Sequence, residues 1–344
     1  MIRQHRQHPP GKDSPPGRSR FSRLFPVMLL CLTGLMTARD TLQVLLLPIE
    51  SPRTLYGRFL PLKRYLEHST GAALKLSIPR SMEEISRKFE QGQVDVAFLC
   101  PVLYCRLRAR FPVEPLVTLR REGETTTTSV VVVREDSPMQ VLADLKEHTF
   151  AYGKYQCAAS GLVPRVMLQS AGFLPGDFLE VARLGSDESA LYAVLARLYD
   201  ATAVSRRAAR AYLSRGLRMI RESFPIPNNL IAVHAHLAPE MRLRLRQAFL
   251  ELDTLRHRDI LKPLGESIDG FVAVQDSDYH TVRLLLRSGA SDEEALPEAA
   301  SGLRVGLPPF FTPAALLRQF DPLLRRWSRR MTMPLFPIIA ESPE

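Results

Sequence analysis

The sequence predicts an α/β protein of two lobes joined by a hinge of two crossover segments, with a cleft between the lobes. Three observations carry this expectation. Short apolar runs alternate with amphipathic helical runs from Leu42 to Leu119. A second alternating set begins at Asp144. The Pro-punctuated apolar stretch Phe224 to His234 is placed to return the chain to the first lobe. Alternation of this kind favours open sheets, whose crevices lie outside the carboxyl ends of the strands. A length of 344 residues suits one bilobal domain or two ordinary ones.

The first set opens on Leu42 to Pro48, a near-continuous apolar run of the kind found in strands covered on both faces. An amphipathic helix follows over Leu55 to Glu67, and Gly71 ends it. Leu74 to Ile78 alternates as a second strand. Ser81-Met-Glu-Glu84 reads as a capping box, starting a helix that stops at Gly92. Val94 to Leu99 is a third buried strand, and Cys100-Pro101 turns the chain into a helix over Val102 to Arg110. Val113 to Leu119 is the fourth strand, and Thr118 to Arg134 is a hairpin-bearing crossover.

The second set holds a strand at Thr149 to Gly153 and a helix at Leu162 to Ala171, closed by Gly172. Between them lies Tyr155-Gln-Cys-Ala-Ala-Ser-Gly-Leu-Val-Pro-Arg165, with Ser160 expected as N-cap and Pro164 in the first turn. A strand, a small-residue turn and a helix start bring unpaired N–H groups and the helix dipole to one spot, which suits an anion. The same pattern also fits an ordinary strand-to-helix turn. Then come a strand near Phe178 to Leu184, the turn Gly185 to Glu188, a helix to Leu198, and a strand at Asp200 to Val204. A helix over Arg206 to Arg215 and a strand over Leu217 to Ser223 close the set. Helices are expected again from Pro239 to Leu255 and around Asp278 to Leu286.

The boundaries implied are 1–38 for an export signal or N-terminal anchor, 42–125 with 230–287 for lobe 1, 126–229 for lobe 2, 288–302 for a linker, and 303–344 for a tail. The export reading rests on a basic leader ending at Arg23, then an apolar run to Ala38 that is short for a membrane span. Cleavage after Ala38, a lipid-carrying Cys31 and an uncleaved anchor are the alternatives. Much of the net charge of +10 sits in that leader, and no nucleic-acid-binding motif accompanies it. Cys100, Cys105 and Cys157 have no metal-ligand spacing and suggest no disulfide framework. Cys157 lies in the small-residue turn without an evident His partner, so a buried thiol is the simpler reading than a nucleophile. No catalytic triad, metal cluster or phosphate-loop signature appears, so neither an enzyme nor a cofactor is expected.

Several segments together resemble a known family. They are Gly92-Gln-Val-Asp-Val-Ala-Phe-Leu-Cys-Pro-Val-Leu-Tyr104, Ser129 to Ser137, Leu142 to Lys146, Ser160-Gly-Leu-Val-Pro-Arg165, Gly185-Ser186 and Ile226-Pro-Asn228. Their order and spacing, from about Leu42 to Leu286, resemble the PhnD-like phosphate/phosphite/phosphonate-binding periplasmic proteins of ABC transporters. The resemblance implies a type II periplasmic-binding-protein fold and capture of a small anion in the periplasm. It also implies delivery to an ABC permease in the inner membrane.

The ligand chemistry departs from that family. Its turn typically reads Ser-Thr-Ser-Gly, whereas this chain has Ala158-Ala159-Ser160-Gly161. A family His after Gly-Ser is replaced by Asp187, a negative charge where a protonatable donor is expected. Each lost charge-assisted hydrogen bond removes about 1.5–3 kcal/mol. Tyr104 remains as a candidate donor, and Ser186, Ser205 and Asn228 are candidate lining residues. Each of these also reads as a capped turn or a structural polar group. The expected function is therefore solute binding for transport, with a sensory, accessory or decayed relative of altered or no ligand as the alternative.

The tail carries an internal repeat. Laid without a gap on Leu42 onward, Leu303, Val305, Leu307, Pro309 and Pro313 fall on Leu42, Val44, Leu46, Pro48 and Pro52. Leu316, Phe320, Pro322, Leu323 and Arg325 fall on Leu55, Phe59, Pro61, Leu62 and Arg64, and Leu335 falls on Leu74. The expectation is a partial second copy of the first β-α-β, cut off at Glu344.

Overall fold

A computed structural model describes residues 41–48, 51–154, 157–265 and 267–287, together with 303–307, 335–339 and five positions between those last two runs. The expected signal or anchor and the expected linker lie outside the described residues. No helix among the described residues is long and apolar enough to cross a membrane.

The first sheet is built as its sequence dictates. Strands β1 (Thr41–Leu46), β2 (Ala73–Ser77), β3 (Val96–Leu99), β4 (Val113–Arg121), β12 (Leu230–His234) and β13 (Ile268–Ala273) form six strands in the order β13-β4-β12-β3-β1-β2. β1 lies parallel to both β2 and β3, while β12 runs antiparallel between β3 and β4. Helix α1 (Pro52–Thr70) packs with α7 (Pro239–Leu250) and α8 (Arg258–Leu264). Helices α2 (Met82–Glu90), α3 (Pro101–Arg108) and α9 (His280–Arg287) complete the cover, and α3 packs with α9. Leu42, Leu45, Leu46 and Leu99 are fully buried, which is why these strands read as unbroken apolar runs.

The second sheet has the order β10-β6-β9-β7-β8, from β6 (Ser129–Arg134), β7 (Thr149–Tyr152), β8 (Glu180–Arg183), β9 (Ala201–Ser205) and β10 (Leu217–Glu222). Helices α4 (Val163–Ser170), α5 (Asp187–Leu195) and α6 (Arg206–Leu213) cover it. One of its faces buries Val130, Val132, Leu191 and Tyr212, and the other buries Val131, Phe150, Tyr152 and Leu168. Between the sheets the chain crosses twice. The two crossings pair as β5 (Thr126–Thr127) with β11 (Ile226–Pro227). Asn228 is buried at this junction, donating through Nδ2 to the carbonyls of Leu119 and Glu124, both at 3.2 Å.

Local signals explain most element ends. Ser51 caps α1 by accepting from Thr54 N, with Pro52 at the first helical position, so the helix starts before the expected Leu55. Ser81 Oγ accepts from Glu84 N, while Glu84 Oε2 reaches back one residue further to Arg80 N. Ser160 does not cap its helix. A π-helical turn over Ala158–Leu162 precedes α4, and Cys157 stands at its N-cap position. α8 and β13 go unanticipated, since Pro263, Gly265 and Gly270 break any periodic pattern there. β13 pairs with β4 through a register shift between Ile268 and Gly270.

In the tail, β14 (Leu303–Leu307) and β15 (Leu335–Ile339) form a separate parallel pair. Leu303 faces Leu335 and Val305 faces Pro337. In the first sheet Leu42 faces Leu74 and Val44 faces Leu76. The residues that align in sequence thus hold matching register positions. Phe320, Leu323, Arg326, Trp327 and Arg330 are helical.

Candidate functional site

The turn at 158–161 follows the end of β7 and leads into α4. Ala158, Ala159, Ser160 and Gly161 are all buried. Ala158, Ala159, Leu162 and Val163 belong to the same hydrophobic cluster as Leu46, Leu99 and Cys100 of the first sheet. The methyl groups that stand at the expected hydroxyl positions therefore close against the first lobe. π-turns of this kind mark local departures from helix geometry and recur at functional positions.

Asp187 gathers hydrogen bonds from two parts of the second lobe. It occupies the first position of α5, capped by Ser186, whose Oγ accepts from Ser189 N. Its Oδ2 accepts from the Ser205 hydroxyl at 3.0 Å and from the Ser205 N–H at 3.2 Å. Its Oδ1 accepts from the Lys154 N–H at 3.3 Å. Gly153 makes this approach possible, because a Cβ there would lie 2.5 Å from Asp187 Oδ1. Donors at two strand ends, β7 and β9, thus converge on one oxyanion that the chain itself supplies. The Asp187 carboxylate thus occupies these donors.

Tyr104 and Asn228 are both hydrogen-bonded within the protein. Tyr104 is fully buried, and its hydroxyl donates to Asp276 Oδ1 at 2.5 Å. Burial and then Asp276 raise its pKa well above the usual phenol range. Arg283 donates to the same Asp276 oxygen at 2.8 Å. Burial raises the pKa of Asp276, but Tyr104 and Arg283 outweigh it and the net shift is downward. A depressed carboxylate contributes stability above its unfolded pKa and loses it as pH falls through the folded value. The Tyr104–Asp276–Arg283 junction is thus expected to weaken in acid, which pH-dependent thermal unfolding of Asp276→Asn against the parent chain would detect as a difference that shrinks at low pH. Burial also raises the thiols of Cys100 and Cys157, keeping both in the neutral form. Among the described residues no cluster of His, Cys, Asp and Glu is arranged to hold a metal.

Sequence reasoning missed a group of arginines. Arg58 of α1, Arg121 of β4 and Arg207 of α6 line one cavity of about 220 Å3 beside the hinge. Phe59, Phe98 and Phe271 form part of its wall. The arginines lie far apart in sequence and within no motif, so only the fold brings them together.

Comparison with known proteins places this geometry in context. Residues 44–279 match the family described as ABC transporter, phosphonate, periplasmic substrate-binding protein. The structure resembles PhnD1 from Prochlorococcus marinus in complex with methylphosphonate, at 18% identity and a TM-score of 0.63, covering 72% of this chain and 98% of that one. It also resembles a binding-protein component of an ABC phosphonate transporter from Pseudomonas aeruginosa, at 19% identity and a TM-score of 0.60, covering 85% and 98% respectively. The periplasmic aliphatic sulphonate binding protein SsuA from Escherichia coli matches at 14% identity and a TM-score of 0.50, over 74% of this chain and 94% of its own. These likenesses show a shared two-lobed α/β fold of the type II periplasmic-binding-protein class.

Proposed function

The chain belongs to the ABC-transporter phosphonate periplasmic substrate-binding protein family, and on that premise we propose that it is an exported solute-binding protein that holds a small phosphate- or phosphonate-type anion between its lobes. It hands that anion to a permease in the inner membrane. The observation that carries the reading is the convergence of Lys154 N, Ser205 N and Ser205 Oγ on a single oxyanion, the Asp187 carboxylate. Donors arranged for one oxyanion suit another of similar shape. Ala158, Ala159, Ser160 and Gly161 supply the neighbouring wall, and Tyr104, Ser186 and Asn228 hold the frame around it.

The same carboxylate favours the second reading, a member of this fold with an altered ligand. An anion competing for those donors meets a charge already in place, and Ala158 and Ala159 offer methyls where hydroxyls would hold oxygens. A thermal-shift titration of the full chain separates the two. Phosphate, phosphite, methylphosphonate and aminoethylphosphonate are the ligands, with sulfate as control. A ligand at about 100 times its Kd adds about 2.7 kcal/mol of stability, a shift of several degrees. A selective shift supports transport of such anions; a folded protein that responds to none of them contradicts it.

We also read residues 303–344 as the start of a second copy of the module, from the matched registers of β14–β15 and β1–β2. A repeat that does not contribute to the first module's core is expected to be dispensable for it. Deletion of residues 303–344 should leave the melting temperature of the remainder within about 2 °C, less than 1 kcal/mol for a chain of this size. A loss of many degrees would show that the tail is part of the first module.

A further inference from the structure

We propose that Ser129 is a further ligand-binding residue, whose hydroxyl completes the seat of a tetrahedral oxyanion beside Ser205. The inference rests on the reading that an anion competes for the donors now held by Asp187. It adds one donor to that seat and names the shape of anion the seat selects. Ser129 opens β6, just beyond the first crossing at β5. It stands opposite Ser205 of β9 in an antiparallel register. Its backbone is turned the other way: the N–H donates to Ser223 Oγ and the carbonyl accepts from Ser223 N, both at 2.9 Å. The Ser129–Ser205 pair is therefore of the non-hydrogen-bonded kind, in which facing side chains stand closest.

Strand alternation puts both side chains on one face of the second sheet. Val131, Val133, Ala201 and Ala203 share that face, and Leu168 of α4 covers it. Ser129 and Ser205 fall at the same alternate positions, and the π-turn ahead of α4 packs on β6 and β9. Ser129 is fully buried, and its Oγ has no hydrogen-bond partner in the protein. The hydroxyls around it are all used. Ser205 Oγ donates to Asp187, and Ser223 Oγ donates to the Phe224 carbonyl. Thr128 Oγ1 donates to Glu222, and Thr202 Oγ1 donates to the Ala151 carbonyl. A buried hydroxyl without a partner is destabilising, and alanine would fill the position without that cost. Ser129 stands one strand away from the donors that converge on Asp187, so its hydroxyl gains a partner when a ligand oxygen takes the carboxylate's place.

The shape of the anion decides how many of these donors it uses. The Asp187 carboxylate is planar and presents two oxygens, which take Ser205 N, Ser205 Oγ and Lys154 N. It has no third oxygen to offer Ser129. A phosphate or phosphonate is tetrahedral and presents one more. With its first oxygens on the donors of Ser205 and Lys154, it has another to accept from the hydroxyl on the neighbouring strand. A hydroxyl that donates to a charged oxygen makes one of the stronger hydrogen bonds. Ser129 thereby favours tetrahedral oxyanions over planar carboxylates.

Isothermal titration of the full chain with methylphosphonate and acetate tests this. Ser129→Ala should weaken methylphosphonate by about tenfold or more, as expected for one hydrogen bond to a charged oxygen. The ligand-free Ser129→Ala variant should melt at or above the temperature of the parent, because an unpaired buried hydroxyl has been removed. A serine that serves only the fold would show the reverse, a lower melting temperature with unchanged affinity. Ser129→Cys fills nearly the same space with a weak donor, so it should also lose methylphosphonate, and it carries the test if the alanine variant does not fold. The parent chain should prefer methylphosphonate to acetate by at least about tenfold. Methylphosphonate affinity that stays within about twofold in the folded variants overturns the role of Ser129 and leaves the interlobe anion reading standing. Acetate bound by the parent chain as tightly as methylphosphonate overturns the tetrahedral selection. No binding of methylphosphonate by the parent chain overturns both readings together.

Discussion

Replacing Asp187 by asparagine is expected to tighten methylphosphonate binding by about tenfold to a hundredfold, the equivalent of about 1.5–3 kcal/mol for charge-assisted hydrogen bonds made available to the ligand. In the parent chain these bonds are made internally, by Lys154 N, Ser205 N and Ser205 Oγ to the two Asp187 oxygens. Asparagine keeps one acceptor oxygen and removes the charge. The incoming oxyanion then meets donors without electrostatic opposition, and Arg207 loses the carboxylate that offsets it. The helix start should tolerate the change, because asparagine is nearly as favourable as aspartate near a helix N-terminus and Ser186 keeps the cap. Titration calorimetry of the two proteins side by side measures the effect. Unchanged affinity would mean that Asp187 stands apart from the site.

The largest loss of stability is expected from Asp95→Ala, about 3 kcal/mol, the upper end of the range for leaving buried hydrogen-bond donors without their acceptor. Asp95 keeps 1% of its surface exposed. Its Oδ2 accepts from Gln43 N at 2.7 Å, and its Oδ1 lies 2.6 Å from His236 Nε2. The carboxylate thereby ties the beginnings of β1 and β3 to the loop after β12. Removing it leaves the Gln43 N–H and the His236 ring without this acceptor and opens a gap at the sheet's amino end. For a module of this size the loss corresponds to a fall of about 6–12 °C in melting temperature. Ligand affinity should be unchanged, because Asp95 lies at the opposite strand ends from the cleft. A fall of less than about 2 °C would contradict this account of the first lobe.

Much of the fold is legible in the sequence because its signals are local. The apolar runs of β1 and β3, the capped start at Ser81 and the stops at Gly71, Gly92 and Gly172 all act within a few residues of themselves. α8 and β13 escape such reading, because β13 is defined by its partner β4 and its own pattern is interrupted by Gly270. The π-turn is hidden for a related reason: Ser160 looks like a cap by composition, and the packing of Ala158 and Ala159 on the first lobe sets the turn earlier. The small-residue turn and Asp187 stand out in the sequence, but the partners that define their roles do not. Tyr104 meets Asp276 and Asp187 meets Ser205 only after folding. The three arginines carry no signal at all until α1, β4 and α6 come together.

The central claim is that an organic anion is bound between the two lobes. A crystal structure of the full chain grown with bromophenylphosphonate, with bromine located by anomalous scattering, tests it most directly. The account predicts one strong peak between the two lobes, with the phosphonate oxygens near the turn at 158–161 and Ser205. A peak confined to the outer surface, or none at a concentration that saturates the calorimetric response, would contradict it.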